Sequence, residues 1–205
     1  MSEVKVAGVL LAGGQSRRMG GGDKCLRLLG DRAILDHIIS RAAPQVTHLV
    51  LNANGEASRF AHFGLPVTSD TVEGFAGPLA GVLAGLDWAA EHAPECEWMA
   101  SFASDTPFLP QDLVLRLLAA KREGGANLAC AASDGRHHPV FGLWPMRLRE
   151  ALRTAILEEE IRKVDRWTRR YKLAEADFTV DGIDPFFNVN RPEDLKVAEN
   201  WLNAK

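Results

Sequence analysis

Between Gly13 and Lys24 the chain gathers five glycines, at positions 13, 14, 20, 21 and 22, and three cations, Arg17, Arg18 and Lys24. Glycine tolerates positive φ and lets backbone N–H groups approach an anion closely, while the cations bring positive charge to the same concavity, so the loop is predicted to hold a polyanion. The apolar run Val4 to Leu11 that leads into it reads as a strand buried on both faces, which leaves the N–H groups of Leu11, Ala12, Gly13 and Gly14 to cradle phosphate. The other residue with a clear chemical reading is Asp105, just past the buried run Trp98 to Ala103. A carboxylate directly after a buried parallel strand stands at the open end of a sheet, where hard oxygen ligands hold Mg2+ against phosphates, so Asp105 is the expected metal ligand. Pro107 and Pro110 separate it from the next helical pattern and argue against a capping role.

The common phosphate loops do not fit. A Walker loop ends in Gly-Lys-Ser/Thr, and here Gly22 is followed by Asp23-Lys24-Cys25, with no hydroxyl for a metal in that place. A dinucleotide fingerprint needs Gly-x-Gly-x-x-Gly, and Gly13-Gly14-Gln15-Ser16-Arg17-Arg18 does not supply it. The order Leu11-Ala12-Gly13-Gly14, Arg18-Met19-Gly20, Asp23-Lys24 instead resembles the signature of nucleotidyltransferases that join a nucleoside monophosphate from an NTP to a phosphorylated acceptor, and within them the molybdenum cofactor guanylyltransferases. Ser104-Asp105-Thr106-Pro107 supports the resemblance, as does Asn188-Val189-Asn190-Arg191-Pro192, which is similar to the Asn-x-Asn-x-Pro element before the family's last helix, so the resemblance spans nearly the whole chain.

The resemblance implies transfer of GMP from GTP to the terminal phosphate of molybdopterin, with Mg2+ as the cofactor and pyrophosphate as the leaving group. It makes Lys24, Asn52, Asp70 and Asp105 nucleotide-contacting positions and sets Asn188 and Asn190 beside the metal or the pterin acceptor. It extends the expected partners from GTP and the molybdenum cofactor to cofactor-delivery or acceptor-molybdoenzyme chaperones. With a phosphate already anionic as nucleophile, no Ser-His-Asp or Cys-His arrangement is needed, and catalysis reduces to positioning and charge neutralisation by Arg18, Lys24 and the metal on Asp105. A cytidylyltransferase acting on the same pterin or on a sugar-like phosphate would share the loop. A nucleotide-binding regulator would have little need of both Lys24 and Asp105.

Those residues need a scaffold that brings them to one edge. Val4 to Leu11, His48 to Asn52, Val67 to Thr68 and Trp98 to Ala103 read as strands, and in an open parallel sheet Leu11, Asn52, Asp70 and Asp105 would all fall at the carboxyl rim; Asn52 and Asp70 taken singly also suit turn caps. Helical spacing marks Asp31 or Arg32 to Ala42, with Pro44 ending the pattern, then Pro78 to about Ala90, a face with Leu113 and Leu117, and Met146 to Leu157. Gly77 and Gly81 open the second of these, so its N-terminus can meet a base edge or ribose, although ordinary helix packing explains the glycines too. Asn127 to Ala132 and Pro139 to Trp144 read as strands joined at Ser133-Asp134-Gly135-Arg136. Phe178 to Val180 reads as a short strand, and a last helix carries Leu195, Ala198, Trp201 and Leu202, for which Asn190 would be a good N-cap. The charged stretch Glu158 to Lys172 suits either a cover over the acceptor or a solvated helix face. The expected fold is a single Rossmann-like three-layer α/β domain, its mostly parallel central sheet flanked by helices, with some antiparallel strands in the later half.

Composition agrees. A chain of 205 residues with 46% hydrophobic residues suits one domain, in which 1–110 would bind the nucleotide and 111–205 the acceptor. No apolar run approaches the ~20 residues of a membrane helix and Met1-Ser2-Glu3-Val4-Lys5 leads straight into a strand, so a cytoplasmic protein without membrane association is expected. A net charge of −3 argues against a general nucleic-acid binder. Cys25, Cys96 and Cys130 are too scattered for a disulfide framework or a zinc site; Cys25 is either a small packing residue or a thiol acidified by neighbouring cations. His137 and His138, adjacent on a strand, would point to opposite sides and lack further ligands nearby.

Overall fold

Side chains along the strand Val6–Leu11 (β1) divide the interior in two: Val6 and Leu10 enter one apolar cluster, Ala7 and Val9 the other. Such alternation on a strand with no polar face demands a helical layer on each side. The same division recurs in His48–Asn52 (β4), where Leu49 and Leu51 oppose Val50, and in Trp98–Ala103 (β6), where Ala100 and Phe102 oppose Met99. The structure, a computed structural model, describes residues 4–13, 23–72 and 77–204. Gly14, Arg18 and the 73–76 part of the loop before Gly77 lie outside the described residues.

Seven strands form the main sheet. Beside β1, β4 and β6 these are Val67–Thr68 (β5), Leu128–Ser133 (β7), Arg136–Pro145 (β8) and Leu173–Phe178 (β9), in the order β5-β4-β1-β6-β8-β7-β9. β1, β4, β5 and β6 run parallel, β9 is parallel to β7, and β8 is antiparallel to both its neighbours. The chain passes from β1 outward to β4 and β5 and then returns to place β6 on the other side of β1, so the crevice for a ligand opens where β1 and β6 end. Helices Ile34–Ala42 (α1), Leu113–Glu123 (α3) and Pro192–Asn203 (α6) contribute to one cluster; Pro78–His92 (α2), Arg149–Leu157 (α4) and Val164–Thr168 (α5) contribute to the other. This is the expected three-layer α/β sandwich, and among the described residues β8 is the strand that runs antiparallel within the main sheet.

Several boundaries differ from the expectation. Arg32 belongs to a small hairpin, Leu28–Leu29 (β2) against Arg32–Ala33 (β3), which turns at Gly30 with φ +66. α1 therefore starts at Ile34, where the Asp36 carboxylate accepts from the Ala33 N–H at 3.1 Å. Met146 to Leu148 forms a 3-10 turn before α4. The last strand is Leu173–Phe178, not Phe178 to Val180: Ala174, Ala176 and Phe178 face the core and Glu175 and Asp177 are exposed. β7 and β8 join at Asp134-Gly135, both in the left-handed region (φ 47 and 70), the geometry of a two-residue hairpin turn. Between β6 and β8 the buried Ser101 is fully used: Trp144 Nε1 donates to its Oγ at 2.8 Å, and the hydroxyl donates to the Val140 carbonyl at 2.5 Å. Among the described residues no helix is long and apolar enough to cross a membrane.

Candidate active site

The carboxyl ends of β1, β4 and β5 meet at a group of amides around one carboxylate. Asn52 closes β4 almost wholly buried, and its Nδ2 donates to Asp70 Oδ1 at 3.0 Å. Asn54 Nδ2 donates to Asp70 Oδ2 at 2.8 Å, while Asn54 Oδ1 accepts from the Asp70 N–H at 2.9 Å. Gly13 lies against this group, since an atom at its Cβ position would stand 3.4 Å from Asn54 Nδ2 and 3.5 Å from Asn52 Oδ1. The Ala12 N–H donates to the Asn52 carbonyl at 2.8 Å, extending the β1–β4 pairing to the start of the loop. Asn52 and Asp70 are thus joined to each other, which the turn-cap reading of each alone does not require.

Gly81 is buried behind that group. A Cβ there would meet the Asn52 side chain and stand 2.8 Å from Leu11 Cδ2, so this glycine lets α2 approach the ends of β1 and β4 and does not line open space. Gly77 caps α2 from an exposed position, with Pro78 following it at the first helical position.

On the other side of the crevice Lys24 carries the contacts. It begins a single 3-10 turn, Lys24–Leu26, and its Nζ donates to Asp105 Oδ2 at 2.6 Å and to Asn190 Oδ1 at 2.5 Å. The side chains of Lys24 and Asp105 are only 18% and 17% exposed, so the pair is held in a partly desolvated place where charge is felt more strongly than in water. Asp105 follows β6, and its backbone carbonyl accepts from the Val189 N–H at 2.8 Å. Thr106 Oγ1 donates to Asn188 Oδ1 at 3.1 Å. Asn188 and Asn190, exposed on either side of the buried Val189, are therefore joined to Asp105, its neighbour Thr106 and Lys24. Asn190 does not cap α6; Asp194 does, its Oδ2 accepting from the Asn190 and Arg191 N–H groups at 2.8 Å each.

Two polar groups escaped sequence reasoning. Arg59 Nε and Nη2 both engage the Asp23 carboxylate, and Nη2 also donates to the Asn54 carbonyl at 2.6 Å. That guanidinium ties the residue before Lys24 to the Asn52, Asn54 and Asp70 group. The second is a cluster of Ser133, His138 and Asp184 at the end of β7. Nothing local marks either one, because Arg59 is far in the chain from Asp23 and Asp184 is far from Ser133 and His138. Cys25 turns inward to the core, and burial pushes its thiol up to about 12, which corrects the reading of a thiol acidified by neighbouring cations. His137 sits 3.2 Å from Glu175, whereas His138 bonds Ser133, so the two histidines serve separate partners.

The described part of the rim thus offers Gly13, a lysine bound to a carboxylate, and amide groups on either side of them. Among the described residues there is no group of three or more His, Cys, Asp or Glu side chains placed to enclose a metal. The Asp105 carboxylate is a hard oxygen donor of the kind that takes Mg2+ when substrate phosphates and water complete the shell, whereas Lys24, which donates to the same carboxylate, contributes charge and no ligand.

Comparison with known proteins gives the same assignment. The family model described as the MobA-like NTP transferase domain matches residues 8–174. A Molybdenum cofactor guanylyltransferase of Bradyrhizobium sp. (strain ORS 278) is 59% identical over 194 residues, 95% of this chain and 92% of the relative. The Molybdopterin-guanine dinucleotide biosynthesis protein A of Archaeoglobus fulgidus superimposes with a TM-score of 0.75 at 22% identity, covering 97% of this chain and all of the other. A Mycobacterium tuberculosis H37Rv protein solved as a complex with manganese shares the fold, with a TM-score of 0.69 at 17% identity over 96% of this chain and 99% of its own. The loop signature, the crevice between β1 and β6 and these likenesses converge: the chain belongs to the MobA-like NTP transferase family, alongside the molybdenum cofactor guanylyltransferases.

Proposed function

We propose that this rim transfers GMP from GTP to the terminal phosphate of molybdopterin, forming molybdopterin guanine dinucleotide and releasing pyrophosphate. The names carried by the chain's close relatives support the reaction. The observation that carries the site is Lys24, whose one ammonium joins Asp105 after β6 to Asn190 before α6. Three residues distant in sequence meet at this ammonium, so a nucleotide triphosphate and a second phosphorylated substrate would share one cation.

An oxygen of the pterin phosphate forms a bond to the α-phosphorus as the bond from that phosphorus to the bridging oxygen of pyrophosphate breaks, the electron pair leaving with pyrophosphate. A phosphate at neutral pH is already anionic, so no protein base is required. The N–H groups of Leu11 to Gly14 hold the triphosphate, and Lys24 and Arg18 offset negative charge on the α-phosphate and the leaving pyrophosphate. Asp105 keeps Lys24 extended into the crevice and is the residue that would hold Mg2+; the ion, when bound, supplies positive charge to the phosphate oxygens. Asn52 and Asp70 serve the nucleoside, with the Gly77 end of α2 nearby and Gly81 acting through Asn52. Asn188 and Asn190 serve the acceptor. On this reading 1–110 is the nucleotide part and 111–205 the acceptor part, the two meeting at Lys24.

Guanine presents donors at N1 and at its exocyclic amine, and adenine an acceptor at N1, so a rim of carboxylate and carbonyl acceptors favours guanine. Pyrophosphate release in the presence of molybdopterin and Mg2+, with GTP, CTP or ATP, tests the proposal. The expected result is release with GTP alone, dependent on the pterin and abolished by chelation of Mg2+. Faster release with CTP would overturn the guanylyl assignment, and release that ignores the pterin would overturn the acceptor.

A further inference from the structure

The Ser133, His138 and Asp184 cluster has no part in the reaction as drawn, although its residue types suggest a hydrolytic triad. The geometry argues otherwise. Ser133 is 1% exposed and stands between the other two, with Oγ 3.0 Å from Asp184 Oδ1 and 2.7 Å from His138 Nε2. A carboxylate accepts only, so the hydroxyl hydrogen goes to Asp184 and the serine oxygen accepts from Nε2–H of His138. A serine spent in this way is not a nucleophile. Burial holds His138 below its ordinary pKa, in keeping with a neutral ring that carries its hydrogen on Nε2.

The cluster is attached to the segment that bears Asn188 and Asn190. Asp184 Oδ1 also accepts from the Phe186 N–H at 2.8 Å, and its backbone carbonyl accepts from the Phe187 N–H at 2.9 Å. The His138 ring stacks on Phe186 with centroids 4.4 Å apart. Downstream, the Val189 N–H is bound to the Asp105 carbonyl, and Asp194 takes the N–H groups of Asn190 and Arg191. The segment from Asp184 to Arg191 is thus held at both ends and at Asp105, and its first anchor lies entirely on the β7–β8 hairpin.

We propose that Ser133, His138 and Asp184 are positioning residues for the acceptor: they fix the register in which Asn188 reaches Thr106 and Asn190 reaches Lys24. The proposal rests on the reading of Asn188 and Asn190 as acceptor-side residues. It assigns the hairpin a part in the second substrate's site and none in nucleotide binding, because among the described residues the side chains of Asn52 and Asp70 bond to one another and to Asn54, not to the cluster.

Steady-state kinetics and hydrogen exchange on the full-length protein test it together. Asp184→Ala should raise KM for molybdopterin roughly 10- to 100-fold, the scale on which small misplacements at a reacting centre act, while the Kd for GTP stays within about twofold. Exchange at the Val189 amide, remote from the altered side chain, should accelerate in the same variant. Asp184→Asn, which retains an oxygen acceptor for Ser133 and Phe186, should restore both, and His138→Ala should reproduce the kinetic effect in weaker form. Unchanged exchange at Val189, or a GTP affinity that falls in step with acceptor use, would overturn the proposal. Faster exchange without any change in acceptor KM would overturn it too. Asn190→Ala then locates the error: if that variant also leaves acceptor KM alone, the acceptor reading itself has failed.

Discussion

Lys24 and Asp105 form a partly buried ion pair at the rim, and that burial decides what removing each one does. The Asp105 carboxylate keeps the ammonium at 2.6 Å and is the proposed place for the metal, whose contribution is greatest when charge develops on the α-phosphate. Asp105→Ala is expected to lower kcat on the order of a thousandfold, a loss of several kcal/mol of transition-state stabilisation, with GTP affinity within about tenfold of the parent. Calorimetric titration of GTP beside single-turnover rates checks it; turnover within a few-fold of the parent in saturating Mg2+ would remove Asp105 from the role of ligand. Lys24→Ala should behave differently, because a cation on the triphosphate acts in the ground state as well as in the transition state. Losing a charged hydrogen-bond partner is worth about 2–3 kcal/mol, or roughly 30- to 150-fold in kcat/KM, with KM for GTP carrying part of it. An unaltered kcat/KM would mean that the lysine does not reach the phosphates.

At the scale of elements, the site depends on how closely α2 approaches the sheet, and two glycines one helical turn apart separate the two consequences of that approach. A Cβ at Gly81 would strike the Asn52 side chain and Leu11, whereas a Cβ at Gly85 would stand 2.7 Å from Val9 Cβ, deeper along β1 and away from the rim. Forcing extra volume into a packed layer costs about 1–3 kcal/mol. Both Gly81→Ala and Gly85→Ala should therefore lower Tm, but only Gly81→Ala should raise KM for GTP; thermal unfolding and initial rates on both variants decide, and a raised KM in Gly85→Ala would contradict the distinction. What sequence made legible follows the same division between near and far. β1, β4, β6 and the loop order are local patterns, so short continuous apolar runs and glycines between cations carried them. The hairpin at Gly30 was lost because β2 and β3 are two residues each. β9 was misplaced because Ala174 and Ala176 are weak strand signals, although their alternation with Glu175 and Asp177 was there to be seen. The bond from Lys24 to Asn190 joins positions 166 apart and the Ser133 to Asp184 bond positions 51 apart; no window along the chain contains either pair. Asn190 itself was legible as a resemblance, and its competing role as a helix cap fell only when Asp194 proved to hold that place.

For the whole molecule, buried thiols make stability sensitive to alkali: burial pushes all three cysteines up, Cys25 and Cys130 furthest. Cys25 and Cys130 are each pushed up to about 12 by burial, against an ordinary value of 9.0. Below pH 9 folded and unfolded chains both keep these protons and the thiols add no pH dependence. Above it the unfolded chain ionises first, so stability falls as pH rises, by at most about 1.4 kcal/mol per unit for each thiol until the folded value is reached. Urea midpoints between pH 8 and pH 10.5 should therefore decline more steeply for the parent than for a Cys25→Ala, Cys130→Ala variant, whatever offset the substitutions add; equal slopes would show that the thiols ionise freely in the folded protein. The account, with the segment proposed for the acceptor bonded to Asp105, comes down to one point of chemistry: one phosphate of GTP is kept and two are lost. Following radioactive phosphorus from GTP labelled at the α or the γ position, with molybdopterin and Mg2+ present, tests that claim most directly. The account predicts that the α label passes to the pterin product and the γ label appears in pyrophosphate, in equal amounts. Recovery of the α label as free GMP, or of the γ label as inorganic phosphate, would contradict it.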